Sequence, residues 1–276
     1  MSAATRTLVI QPTRGWRALG LREVWDARDL LLIFAWRDLK VRYRQTLLGA
    51  VWVMGQPLVS MLIFTLLFSR VAKLRADTGV PYPIFVLGGI LIWNFVSGAI
   101  HRAGNSLIGA SFLISKVYFP RLVIPLSNIV TDLADFSVAA LLLIPAMLWY
   151  GVAPGVSILL APLMVVLASI FALGAGLWIA ALNVEYRDVR ILIPWVLQIA
   201  MYVTPVVYPL SAIPERWRWV AVANPMTGIV ETFRATLFGG AIPMEPLLFS
   251  TIASLVLMVS GAFYFRRMER LFADVL

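Results

Sequence analysis

The chain contains no cysteine, which excludes disulfides, thiolate nucleophiles and cysteine-held metal clusters. Its one histidine, His101, stands alone at the end of an apolar run, so a histidine-based metal site has no second ligand. Charge is scarce: Asp, Glu, Lys and Arg make up 13% of the 276 residues, about half the share of a soluble domain. No glycine-rich stretch ends in Gly-Lys-Ser or Gly-Lys-Thr, so a P-loop nucleotide site is absent and no nucleotide or metal cofactor is expected in this chain. Nor is there a Ser-His-Asp set, a metalloprotease motif or a paired acid–base constellation to mark an active site. The opening stretch MSAATRTLVIQPTRGW lacks an apolar core, so no cleaved signal peptide is expected.

What is present is apolar surface. Hydrophobic residues are 61% of the chain and mean hydropathy is +0.88. That composition describes an all-α integral membrane protein in one domain over residues 1–276. Six transmembrane helices are expected, over 47–69, 83–100, 122–149, 156–182, 191–208 and 247–265, with Pro57 interrupting the first.

Before the first span lies a helix over 26–45. Projected at 100° per residue, Trp25, Leu32, Trp36, Leu39 and Tyr43 share a face, while Arg37, Asp38, Lys40, Arg42 and Arg44 lie off it. A basic helix with an aromatic apolar face lies along the membrane surface rather than through it. Leu30, Phe34 and Val41 form a smaller opposite stripe suited to touching protein. Near the other end, Pro209, Pro214, Pro225 and Pro243 break residues 209–246 into short pieces, and 226–238 is too short to cross. Short re-entrant helices on the outer side are expected there, with Glu231 and Arg234 spaced to pair.

The basic residues orient these segments. With the amino terminus inside, the cytoplasmic stretches 1–46, 101–122, 183–190 and 266–276 hold 17 of the 23 Lys and Arg. Both termini are therefore expected in the cytoplasm, and the net charge of +9 reflects topology and anionic lipid rather than a nucleic-acid partner. Treating 226–240 as a seventh span would place Arg266, Arg267 and Arg270 outside, against this bias. Asp132 and Asp135, three apart within a span, are the one acidic feature inside the membrane. They suggest either a structural pair bonded to neighbouring helices or a proton site of a secondary transporter. Aromatic residues inside the spans suit stacking on the C–H faces of sugars.

Four stretches taken together, RDLKVRYRQTLLGAVW (37–52), ISKVYFPRLVIPLS (114–127), ALNVEYRDVR (181–190) and TPVVYPLSAIPERWRWVAVANPMTGIVETFR (204–234), resemble the membrane subunits of ABC-2 type exporters. These move lipid-linked polysaccharides such as O-antigen, capsule and teichoic acid. The resemblance spans roughly residues 25–270. It implies a homodimeric channel in the bacterial cytoplasmic (inner) membrane, working with two copies of a separate subunit that binds ATP and Mg. It further implies an interface helix carrying Trp25, Trp36, Arg37, Lys40, Arg42, Tyr43 and Arg44. A coupling helix over 104–118, with Ser106, Phe112 and Lys116, and the loop residues Glu185, Arg187 and Asp188 would dock on the ATPase. Outer gate helices over 209–240 would use Pro214, Asn224, Pro225, Glu231 and Arg234. Trp52, Phe64, Trp195, Tyr202 and Tyr208 would line the path. Against this exporter stand two rivals, a proton-coupled secondary transporter using Asp132 and Asp135 and a membrane glycosyltransferase; the latter lacks an acid–base set.

Overall fold

A computed structural model describes residues 21–44, 49–71, 79–269 and 272. The last residue of the expected interface helix, the first two of the first span, most of the polar loop with Lys73, Arg75 and Asp77, and Arg270 lie outside the described residues. Every regular element described is helical: α1 (Leu21–Asp26), α2 (Arg28–Arg44), α3 (Gly49–Phe64), α4 (Tyr82–Gly109), α5 (Ser111–Lys116), α6 (Val123–Ala140), α7 (Leu143–Tyr150), α8 (Ala161–Glu185), α9 (Val189–Val203), α10 (Glu215–Val222), α11 (Pro225–Phe238) and α12 (Met244–Met268). A wider, π-type turn over Thr65–Val71 extends α3, and a 3-10 turn over Val156–Leu160 leads into α8.

Five stretches are long and apolar enough to cross a membrane: Val51–Ser69, Tyr82–Gly109, Val123–Tyr150, Val156–Glu185 and Met244–Met268. The sixth expected span is shorter. Its helix, α9, stops at Val203, where Thr204 leaves the helical conformation and the chain turns through 204–208. In the third crossing a break between α6 and α7 follows from Pro145, which has no N–H to offer the Leu141 carbonyl.

Helix α4 is the central post. Of its most apolar window 78% is buried, against 11% for α3. It packs against α8 and α6, and α8 in turn packs against α12. Gly174 and Gly261 let α8 and α12 approach closely, since a Cβ on Gly174 would strike the Leu257–Met258 backbone. The Trp178 ring stacks on Tyr264 at 4.3 Å and donates from Nε1 to Ser260 Oγ at 3.0 Å. Two expected boundaries need correcting. The second span does not end at His101: α4 runs on to Gly109, because Arg102 turns onto the buried Asp132 carboxylate instead of into water. The helix expected over 104–118 is consequently divided, its first residues belonging to α4 and only Ser111–Lys116 forming a separate turn.

Candidate functional site

Three places in this bundle carry unusual chemistry: a clamp around Arg234, an ion cluster at the opposite end and an uncovered apolar face. The clamp begins with α11, a helix with clear start and stop signals. Asn224 accepts from the Met226 N–H at 3.0 Å as its N-cap, Pro225 fills the first turn, and Gly239 ends it with φ of 75°. This frames Arg234, the largest fully buried side chain of the molecule. Its guanidinium donates to the carbonyls of Phe85 (3.1 Å), Pro205 (2.8 Å) and Val206, and to Glu231 Oε1 (3.0 Å). It also lies 3.7 Å over the Phe85 ring. Tyr82 donates to the Val207 carbonyl, and Asn224 reaches Thr204 Oγ1 at 2.8 Å.

These contacts serve one purpose. Residues 204–207 are buried and run through a turn and bends rather than helix, so their carbonyls lack helical partners and need other donors. Gly89 is required beside them, because a Cβ there would collide with Arg234 and the Val206 carbonyl. Glu231 and Arg234 do pair, as their spacing implies. Arg234, however, sits 1% exposed inside one chain rather than on a surface that opens. Asn224 and Pro225 serve the same helix start, whereas Pro214 is exposed at the head of α10.

At the other end of the bundle, α2 is tied down by ions. Arg42 pairs with Asp135 and stands 3.8 Å from Asp132, Tyr43 donates to Asp135, and Arg102 of α4 pairs with Asp132. Burial, the largest influence, and the neighbouring Arg102 push the Arg42 pKa down, while Asp132 pushes it back up. Phe34 and Ala35 are the residues α2 buries, and Phe34 meets Phe119 edge-on at 5.7 Å. Thus Phe34, with Leu30 beside it, faces protein, while Val41 of the same stripe is exposed along with Trp25, Trp36, Arg37, Lys40 and Arg44. Both carboxylates that suggested a proton site are held by guanidinium groups.

Close by, Phe112 is 70% exposed with the Lys116 ammonium 4.0 Å from its ring centroid, and Tyr118 is equally open. Glu185, Tyr186, Arg187 and Asp188 form an exposed loop, in which Glu185 beside Tyr186 pushes the phenol pKa up. Ser106 differs from these: it is buried and donates to its own helix at Ala103 O (2.6 Å), so it offers nothing to a partner.

The uncovered face belongs to α3 and α9. Helix α9 buries no side chain at all, and Trp195 and Tyr202 are exposed along it, as Trp52 is on α3. Phe64 is half-buried beside Phe68 (6.1 Å between centroids), and the Tyr208 hydroxyl donates back to the Tyr202 and Val203 carbonyls, closing the end of α9. Of the five aromatic residues predicted for a path, three stand on the open face and two pack against the chain. Sequence reasoning missed Tyr82, Gly89 and Arg102, whose partners lie far along the chain. The two exposed tryptophans of α10, Trp217 and Trp219, also stand out.

Residues 29–238 match the family model described as ABC-2 type transporter. An O-antigen export system permease protein RfbA of Myxococcus xanthus is 31% identical over 92% of this chain and 98% of its own length. A Klebsiella pneumoniae protein of the same name is 27% identical over 90% and 95%. The polysialic acid transport protein KpsM of Escherichia coli is 21% identical over 75% and 80%.

Proposed function

Given that the chain belongs to the ABC-2 type transporter membrane family, we propose that it is the channel-forming permease subunit of an exporter for lipid-linked polysaccharide. The exporter works in the bacterial inner membrane, and ATP with Mg is hydrolysed on two copies of a separate subunit. The observation that carries this reading is α9: fifteen residues, apolar, and with no side chain buried in its own chain. A spanning helix left so bare awaits a partner surface or a cargo. A second copy of the chain, facing the first across α3 and α9, encloses a path between them, with Trp52, Trp195 and Tyr202 on its wall.

Six crossings follow if α9 and the non-helical residues after it act as one. Helix α9 alone covers ~22 Å at 1.5 Å per residue, short of a hydrocarbon core of ~30 Å, so the turn that follows must lie within the membrane's outer part. Arg234 and Tyr82 make the non-helical part tolerable there. Both termini then lie in the cytoplasm, and α10 and α11 form the outer seal. Phe112, Lys116, Glu185, Arg187 and Asp188 form the docking surface for the ATPase, while α2 lies along the membrane, anchored by Arg42. The Asp132 and Asp135 carboxylates anchor that helix rather than relay protons, since arginine holds both.

The test is co-expression with a cognate ATP-binding subunit in cells lacking their own exporter, followed by purification. The two proteins should purify together, restore surface polysaccharide and show ATPase activity stimulated by lipid-linked glycan. Arg187→Glu should abolish that stimulation at unchanged abundance. Export by this chain alone, driven by a pH gradient in proteoliposomes, would instead favour secondary transport.

A further inference from the structure

The exposed surfaces of α3 and α9 are not uniform. Projected at 100° per residue, Val189, Ile193, Leu197 and Met201 make the partly covered stripe of α9, turned toward α4 and α8. The remaining surface divides in two. One shoulder presents Ile191, Trp195, Gln198 and Tyr202; the other presents Leu192, Val196, Ile199 and Val203. Helix α3 divides the same way. Trp52, Gln56 and the half-exposed Ser60 follow one another at i, i+4 and i+8, with Ile63 between them, while Val51 and Leu62 lie on the other side. Each uncovered helix therefore has an aromatic–amide shoulder and an aliphatic one.

Lipid accounts for the aliphatic shoulders and not for the others. A primary amide carries two N–H donors and a carbonyl acceptor, and hydrocarbon satisfies none of them. Gln56 and Gln198 are both exposed, and among the described residues neither side chain has a hydrogen-bond partner. Placing such groups in the middle of a span is costly unless they face water, protein or a polar cargo. Their neighbours narrow the choice. Tryptophan and tyrosine rings offer flat faces to the C–H faces of pyranose rings, while an amide both donates to and accepts from hydroxyls. Neither shoulder contains a charged side chain, so this wall reads hydroxyl groups and not ionic ones.

We propose that Gln56 and Gln198 line the translocation path and hydrogen-bond the hydroxyl groups of the passing glycan, between the rings of Trp52, Trp195 and Tyr202. The proposal rests on the exporter reading above. The long, flexible amides re-pair with each successive sugar, giving many shallow contacts in place of one deep site, as conduction requires. The aliphatic shoulders, turned away, meet lipid or the second copy.

The absence of native cysteine makes the test direct. In membranes holding the complex with its ATPase subunit, Gln56→Cys and Gln198→Cys should react with a membrane-impermeant methanethiosulfonate at least tenfold faster than Val51→Cys and Leu192→Cys. Equal rates, or the reverse order, would overturn the assignment of the shoulders. Gln56→Leu and Gln198→Leu should lower export per inserted molecule by about three- to tenfold each, the range expected for one lost hydrogen bond. Gln198→Asn, which keeps the amide, should recover part of the loss. Undiminished export in the leucine variants overturns the proposal. So does lost abundance with normal export per molecule, which would assign the amides to packing. If the unmodified complex exports no glycan while the thiol pattern holds, the exporter reading fails and the sugar assignment falls with it, leaving a water-lined path for another cargo.

Discussion

Helices α3 and α4 are equally apolar by mean hydropathy, yet α4 is mostly buried by its own chain and α3 hardly at all. Hydropathy therefore places a helix in the membrane without saying what covers it. The difference lies in where small residues meet neighbours. In α4, Gly88 faces Phe238, Gly89 faces Arg234 and Gly104 faces Ile179, so adjacent elements approach its backbone from several sides. In α3, Gly55 faces open space. A helix with contacted glycines is a post; one with idle glycines is a wall awaiting something else.

That contrast is best broken at Arg234, on the post side. Arg234→Met removes the donor to the non-helical Pro205 and Val206 carbonyls and breaks the buried ion pair with Glu231. It should cost about 4 kcal/mol, as for breaking a buried ion pair. Abundance in membranes and thermal unfolding in detergent would measure this, and a fully stable variant would remove Arg234 from the fold's foundations. Trp93→Ala in α4, whose ring is buried, should cost about 3 kcal/mol by the same measurements. Asp135→Asn should loosen α2 by about 1–2 kcal/mol through weakened bonds to Arg42 and Tyr43, read as faster proteolysis within 26–44. At the small end, Trp195→Ala on the exposed wall should change stability by less than about 0.5 kcal/mol while lowering export. A Trp195 variant as unstable as the Trp93 one would erase the distinction between post and wall.

Much of this architecture was legible in advance, because apolar runs of spanning length follow from the bilayer alone. The short helix α11 was legible too, from Pro225 at its start and Gly-Gly after it. What stayed hidden has a common cause in long-range pairing of polar groups. His101-Arg102 reads as a helix end meeting water, and only Asp132, thirty residues on, shows why the helix continues. Glu231 and Arg234 read as a pair because their spacing is local, whereas the carbonyls around Arg234 come from residue 85 and residues 205–206. Likewise, the aromatic residues of the spans look alike in sequence. Tyr202 faces outward and Tyr208 folds back onto it, a difference made by the turn that begins at Thr204.

The non-helical stretch at 204–207 also constrains the order of events during synthesis. Its carbonyls cannot leave water until donors exist for them, and Arg234 is made 29 residues after Pro205. The chain emerging behind α9 therefore cannot settle by itself, as a self-sufficient helix does on leaving the insertion machinery. It must wait for α11 to deliver its guanidinium, which also bonds the Phe85 carbonyl made 149 residues earlier. A ribosome halted before residue 234 should thus hold the segment after α9 still open to water, and one halted beyond α12 a closed one.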